Sequence, residues 1–253
     1  MSQRSAIYVY GIVPGDVEVN ADIRGVGDPQ GKVTVARHQD IAALVSKIDL
    51  DRPLGRPEDL AAHAGVLDSV AAEVAVLPLR FGAVVSTMDG VADELLAGNR
   101  DEFGDALRQI EGKAEFVMRG RYAEEVILAE ILAEHLRLRE LREGIANRLA
   151  DATRPERLAL GEAISNALDG KRNADSRIVT ERLGELDCLV NVREPTHELD
   201  AVHIACLVYT ARRADLERIV GELARQWEGR VNLRLLGPLA PYDFVTTGLS
   251  VSG

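Results

Sequence analysis

The first regular element is predicted by the stretch AIYVYGIV at residues 6–13, which is mostly β-branched and aromatic. Such residues favour a strand, and the turn formers between Gly11 and Gly15 would end it. Two more strands are predicted at 32–37 and 41–48. Since the three residues between them fit a tight hairpin, the chain is predicted to begin with three successive strands.

A helix is predicted over residues 57–75, after a loop rich in proline and glycine. Pro57 suits a first helical turn, because the N–H that it lacks would have no intrahelical partner there. A short strand at 76–80 and short helices at 89–97 and 101–110 follow. The first half is therefore predicted as β-β-β-α-β with helical additions.

The second half has a cleaner alternation of elements. It is predicted to comprise a strand at 114–119, a long helical region from about residue 121, strands at 186–193 and 202–210, a helix at 214–227 and a strand at 231–236. This β-α-β-β-α-β order is that of the ferredoxin-like split βαβ fold, whose middle two strands pair as a hairpin. The name describes topology and implies no iron-sulfur cluster.

The helical region of the second half carries an apolar stripe that predicts burial. Its members are Ile127, Ile131, Leu138, Leu141, Ile145 and Leu149. Further helices are predicted at 155–168 and 174–183, with a turn at 170–173 between them. We therefore predict an α+β fold of two domains, 1–112 and 113–253. Both sheets are predicted to be modified ferredoxin-like sheets, the second with an added helical layer.

The composition is that of an acidic globular protein. Lys and Arg number 30 against 41 Asp and Glu, a formal charge of −11, which opposes binding to nucleic acid or anionic lipid. No apolar run approaches the roughly 18 residues of a membrane span and the first residues are polar, so we expect no membrane association and a cytoplasmic location. Cys188 and Cys206 are too few for a disulfide scaffold or a four-cysteine metal site, and no cofactor is expected.

Two segments combine chain-breaking residues with apolar and aromatic ones. They are LPLRFG at 77–82 and LLGPLAPYDFV at 235–245. Ordinary loops are polar, so these segments indicate irregular backbone that packs against a core or a partner. Neither contains a nucleophile.

Together with IYVYGIV at 7–13, these two segments resemble the hallmarks of the gas vesicle accessory proteins GvpF and GvpL. The resemblance implies an assembly factor rather than an enzyme. It further implies that the protein binds the small hydrophobic shell protein and other accessory proteins of the gas vesicle, and assists incorporation of the shell protein. On that basis the chain would be found at the vesicle, as a helper or as a minor component.

The candidate partner-binding residues come from the two unusual segments. They are Arg80, Phe81, Leu236, Leu239, Tyr242 and Phe244. Two interpretations of Arg80 stand at this point, an internal ion pair or a partner contact. Tyr242 and Phe244 lie two apart on an extended segment and suit docking onto a core or binding to a partner equally well.

No catalytic or metal-binding constellation is predicted, because the five histidines are scattered over different elements. His63 on the first long helix has three interpretations: a buried hydrogen-bonded histidine, an interface residue or a general base. Cys188 and Cys206 could lie opposite each other as two reduced thiols or as a redox pair. The rival function is a ferredoxin-like small-molecule-binding or enzymatic domain, signalled by a deep pocket at His63, Arg80 or His203.

Overall fold

The computed structural model describes residues 5–19, 23–27, 31–51, 53–146, 148–149 and 153–245. Its strands are β1 (Ser5–Pro14), β2 (Thr34–His38), β3 (Ile41–Asp49), β4 (Leu77–Pro78), β5 (Val84–Val85), β6 (Lys113–Tyr122), β7 (Leu189–Val192), β8 (Asp200–Tyr209) and β9 (Val231–Leu239). Its α-helices are α1 (Pro57–Ala71), α2 (Met88–Gly90), α3 (Arg100–Ile110), α4 (Glu124–Glu134), α5 (Leu136–Ala146), α6 (Arg154–Leu183) and α7 (Arg213–Gln226). A π-helical segment, Val91–Leu96, and a 3-10 turn, Ala97–Asn99, lead from α2 to α3.

The strands form two antiparallel sheets, and helices accompany both. In the first sheet the order is β2-β3-β1-β4, and β5 also pairs with β1. The predicted hairpin is confirmed, with His38 opposite Ile41 and Gln39 at a positive φ of 53° in the turn. In the second sheet the order is β7-β8-β6-β9.

Strand β1 runs through the centre of the first sheet and contributes to a core on each face. Tyr8 and Tyr10 belong to a core cluster that includes residues of α1. Val9 and Ile12 belong to a second cluster that includes residues of α3. A register shift between Val9 and Gly11 explains why the alternation of faces skips a residue here.

The chain forms two compact units. The first unit comprises residues 1–116, 207–211 and 237–253, and the second comprises residues 117–206 and 212–236. Residues 237–245 thus group with the first unit. The predicted domains, 1–112 and 113–253, stay a prediction.

The predicted turn at 170–173 is wrong, because α6 runs without interruption through these residues. Lys171 Nζ lies 2.5 Å from Glu130 Oε1 and 2.6 Å from Glu134 Oε1, both on α4. Arg172 Nε donates to the carbonyl of Asp200 at 2.8 Å. These tertiary contacts stabilise helical backbone at a Gly-Lys-Arg-Asn sequence that by itself favours a turn.

Two other helical predictions are partly wrong. The predicted helix 57–75 ends at Ala71. The apolar stripe of the second half is split by the break at His135 between α4 and α5, and only part of it is buried. Ile127, Ile131 and Ile145 are buried, whereas Leu149 is 82% exposed.

In the part of the chain that the structure describes, no helix is both long and apolar enough to span a membrane.

Candidate functional site

The two unusual segments meet at His63, within the first unit. His63 is on α1, Tyr8 and Tyr10 are on β1, Phe81 lies between β4 and β5, and Tyr242 follows β9. The Tyr8, Tyr10, Phe81 and Tyr242 rings all lie with their centroids between 5.6 and 6.5 Å from that of His63. We call these five residues the His63 cluster.

Irregular backbone brings Phe81 to this place. The edge of the sheet is interrupted between β4 and β5, although Leu79 N still donates to the Tyr10 carbonyl and Val9 N to the Ala83 carbonyl, each at 2.9 Å. Gly82 has a φ of +94°, a conformation that favours glycine. The interruption therefore forms a short bulge that leaves Arg80 exposed and directs Phe81 onto His63 and Tyr8.

A chain of hydrogen bonds runs through the His63 cluster. Gly82 N donates to the Tyr8 hydroxyl at 3.1 Å, and that hydroxyl lies 2.9 Å from His63 Nδ1. On the other side of the ring, His63 Nε2 lies 2.8 Å from the Tyr242 hydroxyl. A neutral imidazole has one donor and one acceptor, so either tautomer satisfies both contacts. Tyr10 is held separately, since its hydroxyl bonds Ser46 Oγ at 2.8 Å and accepts from Val26 N.

Burial keeps the polar groups of this cluster neutral. It lowers the pKa of His63, and the nearby carbonyl of Leu79 opposes that effect only in part. Burial also raises the pKa of Tyr8 and of Tyr242. His63 is therefore a buried, hydrogen-bonded histidine, as the first of its three interpretations had it.

Besides the Tyr242 contact, two backbone hydrogen bonds and the Phe244 ring hold the segment after β9 within the first unit. Ala240 N donates to Asp68 Oδ1 at 2.9 Å, and Asp243 N donates to Glu115 Oε2 at 3.1 Å. Burial raises the pKa of Asp68, and the bond from Ala240 opposes this. Phe244 is half-buried and packs against the core cluster on the α3 side of the sheet.

The candidate partner-binding residues differ in how they are placed. The structure brings Phe81 and Tyr242 together on one imidazole and leaves Tyr242 43% exposed. Leu239 is half-buried, and Leu236 is 45% exposed and falls within the second unit. Arg80 is exposed, with no carboxylate partner among the described residues.

Sequence reasoning missed the partners that hold these segments. Tyr8, Asp68 and Glu115 were not singled out, although each bonds to one of the two unusual segments. The signal for Tyr8 was the alternation of Tyr8 and Tyr10, which places two hydroxyls on one face of a strand. For Asp68 and Glu115 no such signal exists, because their partners are backbone N–H groups more than a hundred residues away.

Other sites of possible chemistry are limited. In the described ranges no group of three or more His, Cys, Asp and Glu side chains is placed to bind a metal. Cys188 Sγ donates to the Leu183 carbonyl at 3.4 Å, burial raises the pKa of its thiol, and no disulfide links it to Cys206. Clefts of about 840 and 530 Å³ are lined by residues other than His63, Arg80 and His203.

Comparison with known proteins identifies the family. The family model of the gas vesicle synthesis protein GvpL/GvpF matches residues 6–246, which include all five residues of the His63 cluster. The chain belongs to the GvpL/GvpF family. This is a family of gas vesicle structural and accessory proteins and is not a known enzyme family.

Relatives within the GvpL/GvpF family match along nearly the whole chain. Gas vesicle protein F of a Streptomyces species is 34% identical over 243 residues, which cover 94% of this chain and 98% of that protein. Gas vesicle protein F of Dolichospermum flosaquae is 21% identical over 240 residues, covering 94% and 96%.

Solved GvpF structures share the fold. The crystal structure of GvpF from Anabaena superposes with a TM-score of 0.76 at 21% identity, covering 95% of this chain and 98% of that one. GvpF from Microcystis aeruginosa gives a TM-score of 0.74 at 20% identity, covering 94% and 98%. The chain is accordingly a gas vesicle protein with a mixed α/β fold.

Proposed function

We propose that this chain is a gas vesicle assembly factor that binds the small hydrophobic shell protein and assists its incorporation. The observation that carries the proposal is the convergence of Phe81 and Tyr242 on His63, beside the exposed Arg80. Membership in the GvpL/GvpF family supports it. Other gas vesicle accessory proteins are proposed as further partners.

The composition of this surface suits protein recognition. Aromatic residues and arginine are enriched where proteins bind one another, because they combine apolar area with directional hydrogen bonds. Tyr242 is held through its hydroxyl by His63, yet 43% of it is exposed. A ring already fixed in place loses little conformational entropy on binding, which favours affinity.

The remaining candidates are proposed as supporting contacts. Leu239 and Phe244 lie on the same segment as Tyr242, and both are half-buried. Leu236 offers an exposed aliphatic side chain on β9. The net charge of −11 would keep a complex with a hydrophobic subunit in solution.

Co-purification of the shell protein with variants of this chain tests the proposal. The shell protein is expected to co-purify with the wild type, and Arg80→Ala combined with Tyr242→Ala is expected to reduce its recovery by about tenfold, the effect of losing one or two central contacts. Tyr209→Ala with Arg177→Ala is the matched control, because it removes a tyrosine that is 47% exposed and an exposed arginine elsewhere.

Two results would contradict the proposal. The first is a wild-type protein that does not retain the shell protein. The second is equal loss of binding in the test and control pairs while circular dichroism shows both to be folded.

The fold supports a finer proposal about topology. Both sheets have the strand order 2-3-1-4 when their own strands are numbered along the chain, omitting β5. That is the order of a split βαβ sheet. We propose that both sheets are modified ferredoxin-like sheets, in domains 1–112 and 113–253, and that α4 to α6 form the added helical layer of the second.

A further inference from the structure

A basic cleft lies in the second unit, where β6 and β9 run side by side. It has a volume of about 840 Å³, and its lining includes Arg119 and Arg121 on β6 and Arg234 on β9. All three arginines are exposed. Three exposed guanidinium groups in one cleft give it a local positive charge, although the net charge of the whole chain is −11.

The register of the two strands places two of these charges opposite each other. Ala123 N donates to the Arg230 carbonyl at 2.9 Å, and a Cβ at Gly120 would lie 3.3 Å from Leu233 Cδ1. In an antiparallel pair this register puts Arg119 opposite Arg234. Like charges directly opposite on neighbouring strands are destabilising, so this pair carries a cost that a bound anion would remove.

The protein neutralises these three arginines only weakly. Arg121 Nη2 lies 3.6 Å from Asp200 Oδ1, and Asp200 Oδ2 already accepts from Thr196. Arg119 Nη2 donates to the neutral hydroxyl of Thr196 at 2.8 Å. Arg234 has no ion pair or hydrogen bond from its side chain within the described ranges.

A neighbouring arginine shows the contrast. Arg230, which also lines the cleft, pairs with Glu130 at 2.8 Å and with Asp175 at 2.9 Å. A guanidinium has five N–H donors, and those of Arg230 meet two carboxylates inside the protein. Of Arg119, Arg121 and Arg234, only Arg121 has a carboxylate partner in the described structure, and that is the single contact to Asp200 at 3.6 Å.

We propose that this cleft binds an acidic, extended segment of a partner protein, with carboxylates at alternate positions. Arg119 and Arg121 are two residues apart on one strand and therefore about 7 Å apart, which is the spacing of alternate side chains in an extended peptide. The planar guanidinium also matches a carboxylate in bidentate geometry. Asp200 and the exposed Glu228 also line the cleft and limit the number of anionic groups it can accept, which favours a short peptide with separated carboxylates over the continuous phosphate backbone of a nucleic acid.

Fluorescence anisotropy with the full chain tests the proposal. The probe is a fluorescein-labelled decapeptide of alternating Glu and Thr, and the same peptide with Gln for Glu is the neutral comparison. Binding of the Glu peptide is expected at 50 mM salt and should weaken at 300 mM salt, because ion pairs at a surface are screened. The triple variant Arg119→Gln, Arg121→Gln, Arg234→Gln is expected to bind it at least about tenfold more weakly.

A matched triple variant controls for net charge. Arg137→Gln, Arg142→Gln and Arg177→Gln change three exposed helical arginines of the same unit, and should leave peptide binding unchanged. The proposal is overturned if the wild type binds the Glu and Gln peptides equally or neither, or if both triple variants lose binding alike. It is also overturned if a decathymidylate oligonucleotide binds more tightly and with the same arginine dependence. None of these results bears on the shell-protein test at Arg80 and Tyr242, which changes other residues and uses a separate assay.

Discussion

Each of the two units of this protein contains a buried polar cluster, and the two clusters satisfy their polar groups by different chemistry. In the first unit, His63 lies between the hydroxyls of Tyr8 and Tyr242, and burial favours the neutral form of each group. In the second unit, Asp175 accepts from the Tyr122 hydroxyl at 2.6 Å and pairs with Arg230.

The charged cluster extends further than the neutral one. Arg230 also pairs with Glu130, which in turn pairs with Lys171, and the Arg230 guanidinium lies 5.3 Å from the Tyr122 ring centroid. The hydrogen bond from Arg230 is the main cause that lowers the pKa of Glu130. A tyrosine hydroxyl is thus satisfied by a neutral ring in one unit and by a carboxylate in the other. The stability that the neutral cluster provides should therefore depend on pH near that of histidine titration. The stability that the charged cluster provides should fall most when one of its ionised partners is removed.

The largest expected effect is from Asp175→Ala in the charged cluster. Asp175 is 4% exposed, so its removal leaves the partly buried Arg230 with one carboxylate fewer and the Tyr122 hydroxyl without its acceptor. Breaking a buried ion pair from one side costs about 3 kcal/mol. Urea unfolding at pH 7.5 measures the loss.

The control for that variant is Glu181→Ala, which removes the partner of Arg177 in an exposed pair on the same helix. Its cost should stay below about 0.5 kcal/mol. Equal losses of unfolding free energy in Asp175→Ala and Glu181→Ala would show that burial of the charged cluster does not add to its effect on stability.

Tyr8→Phe should have the next largest effect, in the neutral cluster. The change removes a hydroxyl that lies 2.9 Å from His63 Nδ1 and accepts from Gly82 N, and it leaves the ring in place. Leaving buried polar groups without partners costs about 1 to 2 kcal/mol. Unfolding free energies of Tyr8→Phe and wild type give the value, and an unchanged stability would mean that water replaces the hydroxyl.

The pH dependence of stability should distinguish the neutral cluster of the first unit from the charged cluster of the second. The folded pKa of His63 lies below its unfolded value of about 6.5, so the unfolded chain binds more protons in this range. The contribution of neutral His63 is then fully present above about pH 6.5 and is lost as the pH falls toward the folded pKa. Unfolding free energies at pH 7.5 and 5.5 should differ less in His63→Gln than in wild type, whereas the exposed His135→Gln should behave as wild type.

The smallest effect is expected from Tyr242→Phe. Tyr242 is 43% exposed, so solvent can replace part of what its hydroxyl provides to His63. A loss of about 0.5 to 1 kcal/mol is expected in thermal or urea unfolding. A loss larger than that of Tyr8→Phe would reverse the order of the two tyrosines and contradict the burial argument.

Much of the fold was predictable because its signals are local. The β-branched and aromatic residues of 6–13, and the hairpin at 38–40, express preferences that neighbouring residues set among themselves. The turn at 170–173 was predicted wrongly for the opposite reason. There the local preference of Gly170 and Asn173 is overridden by ion pairs from Lys171 to α4, which no local pattern contains.

The candidate site was predictable only in part. Proline and glycine beside aromatic residues correctly indicated packed irregular backbone at 79–82 and 240–245, but wrongly at 235–239, which belong to β9, and at 77–78, which form β4. The sequence contains no sign that Phe81 and Tyr242 would meet on His63, since the distance along the chain between His63 and Tyr242 is 179 residues.

By itself, the sequence determined the kinds of element, most of their order along the chain, the acidic charge and, through three short segments, the resemblance to the GvpL/GvpF family. The tertiary structure decided which polar groups are neutral and which are paired. It also decided that the exposed arginines of β6 and β9 share one cleft. The physical reason is that strand and helix preferences act between neighbours, whereas burial, register and ion pairing depend on groups that only folding brings together.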